Sequence, residues 1–157
     1  HDAGGLALDA LRQAIRDSGG PDYAHTFALG PNRGVPTGLD LDGDGWRGGP
    51  GDTQGYAEFA GQNGMALLSR FPVLRDDVRD LSALLWRDLP GGAALDVLSP
   101  EAAAVQRLSA TGHWIVPVRI AADRTLSILA YYATPPVFDG PEDRNGLRNR
   151  RRTRPLH

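Results

Sequence analysis

No cysteine and no lysine occur in the 157 residues. The first absence removes disulfides and thiolate metal sites, although it fixes no compartment. The second leaves all 17 basic positions to arginine, which reads as genomic base composition rather than function. Long apolar runs are missing as well. None approaches the ~20 residues of a membrane-spanning helix, and no signal-peptide pattern opens the chain. A starter Met is also lacking. His1 stands first, which suggests a segment upstream that was removed or never captured. A large excess of either charge is missing too. The net charge of -2 excludes a polycation that coats nucleic acid along its whole length. Charge is distributed unevenly, however, with six arginines between Arg144 and Arg154 and most acids upstream.

What is present suits one domain with one packed core, since 41% of the residues are apolar. The 20 glycines and 12 prolines call for long loops. Leu6, Leu8, Leu11 and Ile15 recur at helical spacing, so residues 6–17 are expected as a helix packed by Leu8, Leu11 and Ile15. Asp17-Ser18-Gly19-Gly20-Pro21 stops it. Residues 30–63 are Gly-, Pro- and Asp-rich without apolar periodicity, and a loop of that length is usually functional or disordered. Residues 64–70, 114–120 and 125–132 are expected as strands. The last two should form an antiparallel hairpin through Ala121-Ala122-Asp123-Arg124-Thr125. Leu81 to Trp86 reads as a further short strand near the surface. Ser99 and Pro100 open a helix running to Leu108. After Thr134-Pro135-Pro136 nothing periodic returns, and residues 144–157 read as a solvated, disordered Arg-rich tail. This order suggests α/β or α+β layers.

Three stretches then point to a family. They are Thr37-Gly38-Leu39-Asp40-Leu41-Asp42-Gly43-Asp44-Gly45 continuing to Gly61-Gln62-Asn63-Gly64-Met65-Ala66-Leu67-Leu68-Ser69-Arg70-Phe71-Pro72, then Gly112-His113-Trp114-Ile115-Val116-Pro117-Val118, then Thr134-Pro135-Pro136-Val137-Phe138-Asp139-Gly140-Pro141-Glu142-Asp143-Arg144-Asn145-Gly146. Together they resemble the endonuclease/exonuclease/phosphatase family, in particular its bacterial branch of metal-dependent phosphoesterases. The third stretch is the most specific. The resemblance implies a layered α/β sandwich, two packed mixed β-sheets flanked by helices, only partly present in this chain. It implies a divalent metal, usually magnesium, that polarises a phosphoryl oxygen while water attacks in line and a His with Asp partners manages the proton. The substrate would be a phosphoester, either nucleic acid or a small phosphorylated molecule. No membrane is implied, and a secreted or periplasmic bacterial setting stays open.

The same resemblance implies groups that this chain lacks. The family takes a metal-binding Glu and an Asn from strands upstream, and an Asp-x-Asn pair and an Asp-His pair from strands downstream. His1-Asp2 resembles the residues just after that Glu. Residues 1–157 are therefore expected as a single incomplete domain, inactive alone, with open strand edges and with Leu67, Val116 and Ile128 facing a sheet only partly supplied. Inside the covered region Tyr132 stands where the family has an active-site His. A phenol with pKa near ~10 does not replace an imidazole near neutral pH. After Asn149 the family's His-Asp-Glu is replaced by arginines, as in a reading-frame slip or a truncated record, while the lost His would suit a degenerate copy.

The candidate site residues each have a plain reading too. Asp40, Asp42 and Asp44 match the first half of an EF-hand loop, with Asp52 available to complete a non-standard calcium cage. The twelfth position is Gly51 instead of a bidentate Glu, so the plain reading is a solvated acidic turn. A non-catalytic calcium-binding module is the alternative function. His113 could contact a phosphate, or it could be a strand-end His half covered by Trp114. The family often has Asp at the place of Ile115. Asp139, Glu142 and Asp143 form an acidic cluster that could bind a metal or act as general acid and base. The resemblance implies instead a loop over the substrate cleft with Asp139, Asp143, Arg144 and Asn145, Asp143 pairing with Arg144. The plain reading is an ordinary Asp/Gly turn. Arg70 reads as a surface residue and Arg87–Asp88 as an exposed ion pair.

Overall fold

The computed structural model describes residues 5–90, 94–137, 141 and 143–152. Within them the chain is mixed α/β, with four helices and two small antiparallel sheets. The leucine spacing near the start produces α1 (Leu6–Asp17). It ends as expected at the Ser-Gly-Gly turn, where the Gly20 N–H donates to Ile15 O at 2.9 Å. Its expected packing needs correction. No residue of α1 is buried, and Leu11 is 48% exposed. Leu8 and Leu11 instead line an open groove of ≈ 560 Å³ together with Leu29 and Met65.

 The helix therefore lies along the fold without sealing it.

Those strands are β1 (His25–Phe27) and β2 (Leu67–Ser69), antiparallel with Phe27 opposite Leu67. β2 is shorter than the expected 64–70. The Ser69 hydroxyl donates to Phe71 O at 2.8 Å and accepts the Phe71 N–H at 3.0 Å, which turns the chain before Pro72. The second sheet has the order β3-β4-β5, from β3 (Arg79–Asp80), β4 (His113–Ala121) and β5 (Arg124–Tyr131). The expected hairpin is present in β4 and β5, with Val116 opposite Ile128. All pairings of these strands are antiparallel, where mixed sheets were expected. A tight hairpin can join only antiparallel neighbours.

Alternation along β4 turns Trp114, Val116 and Val118 inward, where they pack with Phe27. The Phe27 and Trp114 rings meet edge to face at 5.5 Å. Val116 is fully buried, as its position requires, while Leu67 and Ile128 are half-buried. β5 stands at the sheet edge with Leu126 and Leu129 exposed, and among the described residues no strand pairs with its outer side.

A second apolar cluster forms around Trp86, Leu89, Ala94 and Leu108. The strand expected over Leu81–Trp86 is absent there. Asp80 Oδ1 accepts the Ser82 N–H at 2.9 Å, which ends β3 early, and Trp86 opens a 3-10 turn with 0% of its surface exposed. Two short helices follow, α2 (Ala94–Val97) and α3 (Pro100–Val105). The cap read from the sequence is in place, with the Ala102 N–H donating to Ser99 Oγ at 3.2 Å. The expected helix end at Leu108 is corrected to Val105.

The expected disordered tail is corrected as well. Residues Arg144–Arg152 form α4, while 153–157 lie outside the described residues. Arginine is a good helix former, and Leu147 packs on the Trp86 cluster. Arg148 is buried. Its Nε donates to Leu108 O and its Nη2 to Gln54 O, both at 3.0 Å, and Nη2 also reaches Arg107 O.

Residues 30–63 remain largely irregular but are tied down at intervals. Asn32 is buried and donates through Nδ2 to Ser82 O and Ser109 O, both at 2.7 Å. Gly34 has φ +73°, and a Cβ there would lie 2.2 Å from Phe59 O, so no other residue fits.

Arg148→Met should therefore destabilise the chain by about 3 kcal/mol, because it strips charged donors from buried carbonyls. Arg150→Ala, on the exposed side of α4, should cost under about 1 kcal/mol. Urea melts of the two variants check this, and equal effects would refute the clamp.

Candidate functional site

The loop between Gly38 and Thr53 carries the densest group of acids. Ligand atoms of Asp40, Asp42 and Asp44 all lie within 4.8 Å of one another. Local hydrogen bonds hold them there. Asp40 accepts the N–H groups of Gly43 at 2.7 Å and Gly45 at 2.9 Å. Asp42 accepts the Asp44 N–H at 3.3 Å, and Asp44 accepts the Trp46 N–H at 2.7 Å. Gly45 has φ +86°, which suits the sharp sixth position of a calcium loop. Three carboxylates so placed repel one another, and a hard divalent cation would relieve that repulsion.

The twelfth position differs for a packing reason. A Cβ on Gly51 would fall 2.0 Å from Asp42 Oδ2, so a Glu there would require the Asp42 carboxylate to move aside. Asp52 does not join the group of three. It is buried and acts as a brace. Its Oδ1 accepts the Leu41 N–H at 2.6 Å, and its Oδ2 accepts those of Gly48 at 2.8 Å and Gly49 at 3.1 Å. The Gly48 N–H, followed by that of Leu41, holds the Asp52 carboxyl below its ordinary pKa, against the opposing effect of burial.

A second constellation lies at the open end of the hairpin. His113 begins β4 opposite Tyr131, with ring centroids 6.0 Å apart. Its backbone N–H donates to Ser82 Oγ at 3.0 Å. Tyr132 follows the end of β5, and its N–H donates to Gly112 O at 3.3 Å. The Arg33 guanidinium lies over the Tyr132 ring, 5.6 Å from its centroid. Thus the loop, the start of β4 and the end of β5 meet around Tyr132.

The segment after Thr134 closes on the same region. Asn149 Nδ2 donates to Thr134 O at 2.5 Å, and Asn145 Nδ2 to Val137 O at 3.0 Å. Arg144 Nη1 reaches Leu41 O in the acidic loop at 3.2 Å. The expected pairing of Asp143 with Arg144 is corrected, since Asp143 faces Arg150 at 3.9 Å instead. Asp139 and Glu142 lie outside the described residues. Arg87 and Asp88 form the exposed pair read from the sequence, at 3.7 Å, and Arg70 is exposed.

Sequence reasoning missed Asn32, Arg33, Gln54 and Arg148. Their partners lie far along the chain, up to 94 residues away for Arg148, so local pattern carries no trace of them. Comparison of the chain with protein-family models, curated proteins and solved structures finds no match.

Asp52→Asn should lower the melting temperature at neutral pH. A carboxyl with a depressed folded pKa contributes stability that is fully present above its unfolded value of ~3.9 and is lost as pH falls through the folded pKa. The gap between wild type and Asp52→Asn should thus be constant near neutrality and close below about pH 4. Thermal melts across pH check it; a gap that widens in acid would remove the brace from the account.

Proposed function

We propose that the chain belongs to a metal-dependent phosphoesterase domain, a layered sandwich that hydrolyses phosphodiesters or phosphomonoesters, and that these 157 residues do not turn over substrate alone. The supporting observation is convergence. The three stretches that resemble the endonuclease/exonuclease/phosphatase family are far apart in sequence. Yet Met65 and Leu67 of the first pack on the core formed by Trp114, Val116 and Val118 of the second, and Arg144 of the third donates to Leu41 O of the first, 103 residues away. A fold that hosts many chemistries needs such a site before a function is assigned.

The proposed inactivity has two grounds. Tyr132 occupies the place of the family's His, and a phenol is a poor general base near neutral pH. Among the described residues, moreover, Asp40, Asp42 and Asp44 are the only group with metal-ligand proximity. His113 and Tyr132 have no such group of their own, so no magnesium-assisted step is assigned to them.

The test begins in the flanking DNA. It should encode, in some frame, an upstream Glu and Asn and a downstream Asp-x-Asn and Asp-His. A chain extended by those segments, with Tyr132→His, should hydrolyse bis(p-nitrophenyl) phosphate with magnesium, while the 157 residues should not exceed a metal-free control. Turnover by the 157 residues would refute the inactivity. An extended chain without turnover would refute the phosphoesterase reading.

A second reading, calcium binding without chemistry, is favoured by the convergence of Asp40, Asp42 and Asp44. Because the Trp46 N–H is held by Asp44, calcium should change the Trp46 emission saturably, with Kd about 10⁻⁴–10⁻³ M, the weak end of such loops. Asp42→Asn should weaken binding on the order of tenfold. A flat calorimetric and fluorescence titration would end this reading.

A further inference from the structure

Beside the acidic loop lies a cavity of ≈ 340 Å³ that none of these roles uses. Its walls are largely main chain, from Gly34, Pro36 and Gly48 to Pro50. Its side chains include Trp46, Arg47, Glu58 and Asp52, the last with both carboxylate oxygens already engaged by backbone N–H groups. The size falls at the lower end of small-molecule sites, about 300–1,000 Å³.

Trp46 is 62% exposed although it is the largest apolar side chain of the loop. Its six-membered ring rests on glycine backbone, since a Cβ on Gly49 would lie 3.5 Å from two of its carbons. The indole is therefore supported from beneath and open elsewhere. Its backbone N–H is held by Asp44 and its ring is backed by Gly49, which together bias the platform toward this position. Arg47 is exposed beside it, and no carboxylate pairs with it among the described residues. A flat, open indole binds a planar ring by stacking. An adjacent unpaired guanidinium binds an anion, above all phosphate. A neutral sugar could stack on the indole but would leave the guanidinium without a role.

We propose that this cavity binds a nucleotide, its base stacked on Trp46 and its phosphate held by Arg47. As a statement about substrate this rests on the phosphoesterase reading, which it narrows to nucleotides or nucleic acid. As a binding site it stands on the cavity alone.

The test is calorimetry of the whole chain with AMP, adenosine, inorganic phosphate and glucose as probes. AMP should bind saturably at millimolar concentration or below, about tenfold more tightly than adenosine. Trp46→Ala should weaken AMP binding about tenfold or more, whereas Trp46→Phe should retain it within about threefold. Arg47→Gln should erase the preference for AMP over adenosine. Circular dichroism checks that each variant folds, and the conservative Phe variant keeps the test valid if the Ala variant does not. No saturable AMP binding would overturn the proposal. So would AMP binding indifferent to both Trp46→Ala and Arg47→Gln, or glucose binding more tightly than AMP. Failure of the phosphoesterase reading is separate: AMP binding with no turnover in the extended chain leaves the site standing, while turnover without AMP binding removes the site alone.

Discussion

The structure depends on satisfying the carbonyl groups of one buried, irregular segment. Residues 106–112, which follow Val105 at the end of α3 and lead into β4, are mostly buried. Irregular backbone in such a place has no ladder to pair its carbonyls, and an unpaired buried carbonyl is costly. The donors come from elsewhere. Gln54 serves Val105 O, the Trp86 N–H serves Gln106 O, and Arg148 serves Arg107 O and Leu108 O. Asn32 serves Ser109 O through its side chain and Thr111 O through its backbone. The Tyr132 N–H and Ser109 Oγ serve Gly112 O. The long loop, the hairpin and α4 all meet on this segment for that reason.

That requirement explains how a Gly-rich loop can be ordered with few buried apolar side chains of its own. Asn32 and Gln54 are its anchors at the segment, and Arg107 Nη1 donates back to Asn32 Oδ1 at 2.5 Å. Close approach is needed as well. A Cβ on Gly55 would lie 2.3 Å from Ala110 O, so glycine there lets the two backbones touch. Farther out, Asp52 repeats the device in reverse, as an acceptor gathering N–H groups. Anchors on one side and the brace on the other leave Asp40, Asp42 and Asp44 on a turn whose shape is already set.

Local rules were readable in the sequence and distant ones were not. The spacing of Leu6, Leu8, Leu11 and Ile15 pointed to α1, Ser99 to the start of α3, and the segment from Trp114 to Ile120 to β4. The acidic triad was visible too, because its geometry arises within a few residues. In contrast, α4 depends on Arg148 finding carbonyls 40 and 94 residues away, and an arginine run looks like a solvated tail without that knowledge. Trp86 likewise owes its burial to Leu89, Ala94 and Leu108, not to the pattern around it. Asp52 was seen as a carboxylate but not as a brace, since its use depends on which N–H groups the loop turns toward it.

The position of Tyr132 links these parts. One end of it is held by the carbonyl of Gly112, inside the demanding segment, and its ring lies under Arg33, next to the anchor Asn32. The ring's negative face attracts the guanidinium. A protonated histidine in the same place would repel it, and a neutral one would offer a weaker face. Tyr132 and Arg33 thus suit each other in a way that an imidazole and Arg33 would not. The stack of Arg33 on Tyr132, with the Tyr132 N–H held by Gly112 O, fastens the long loop to the end of the hairpin.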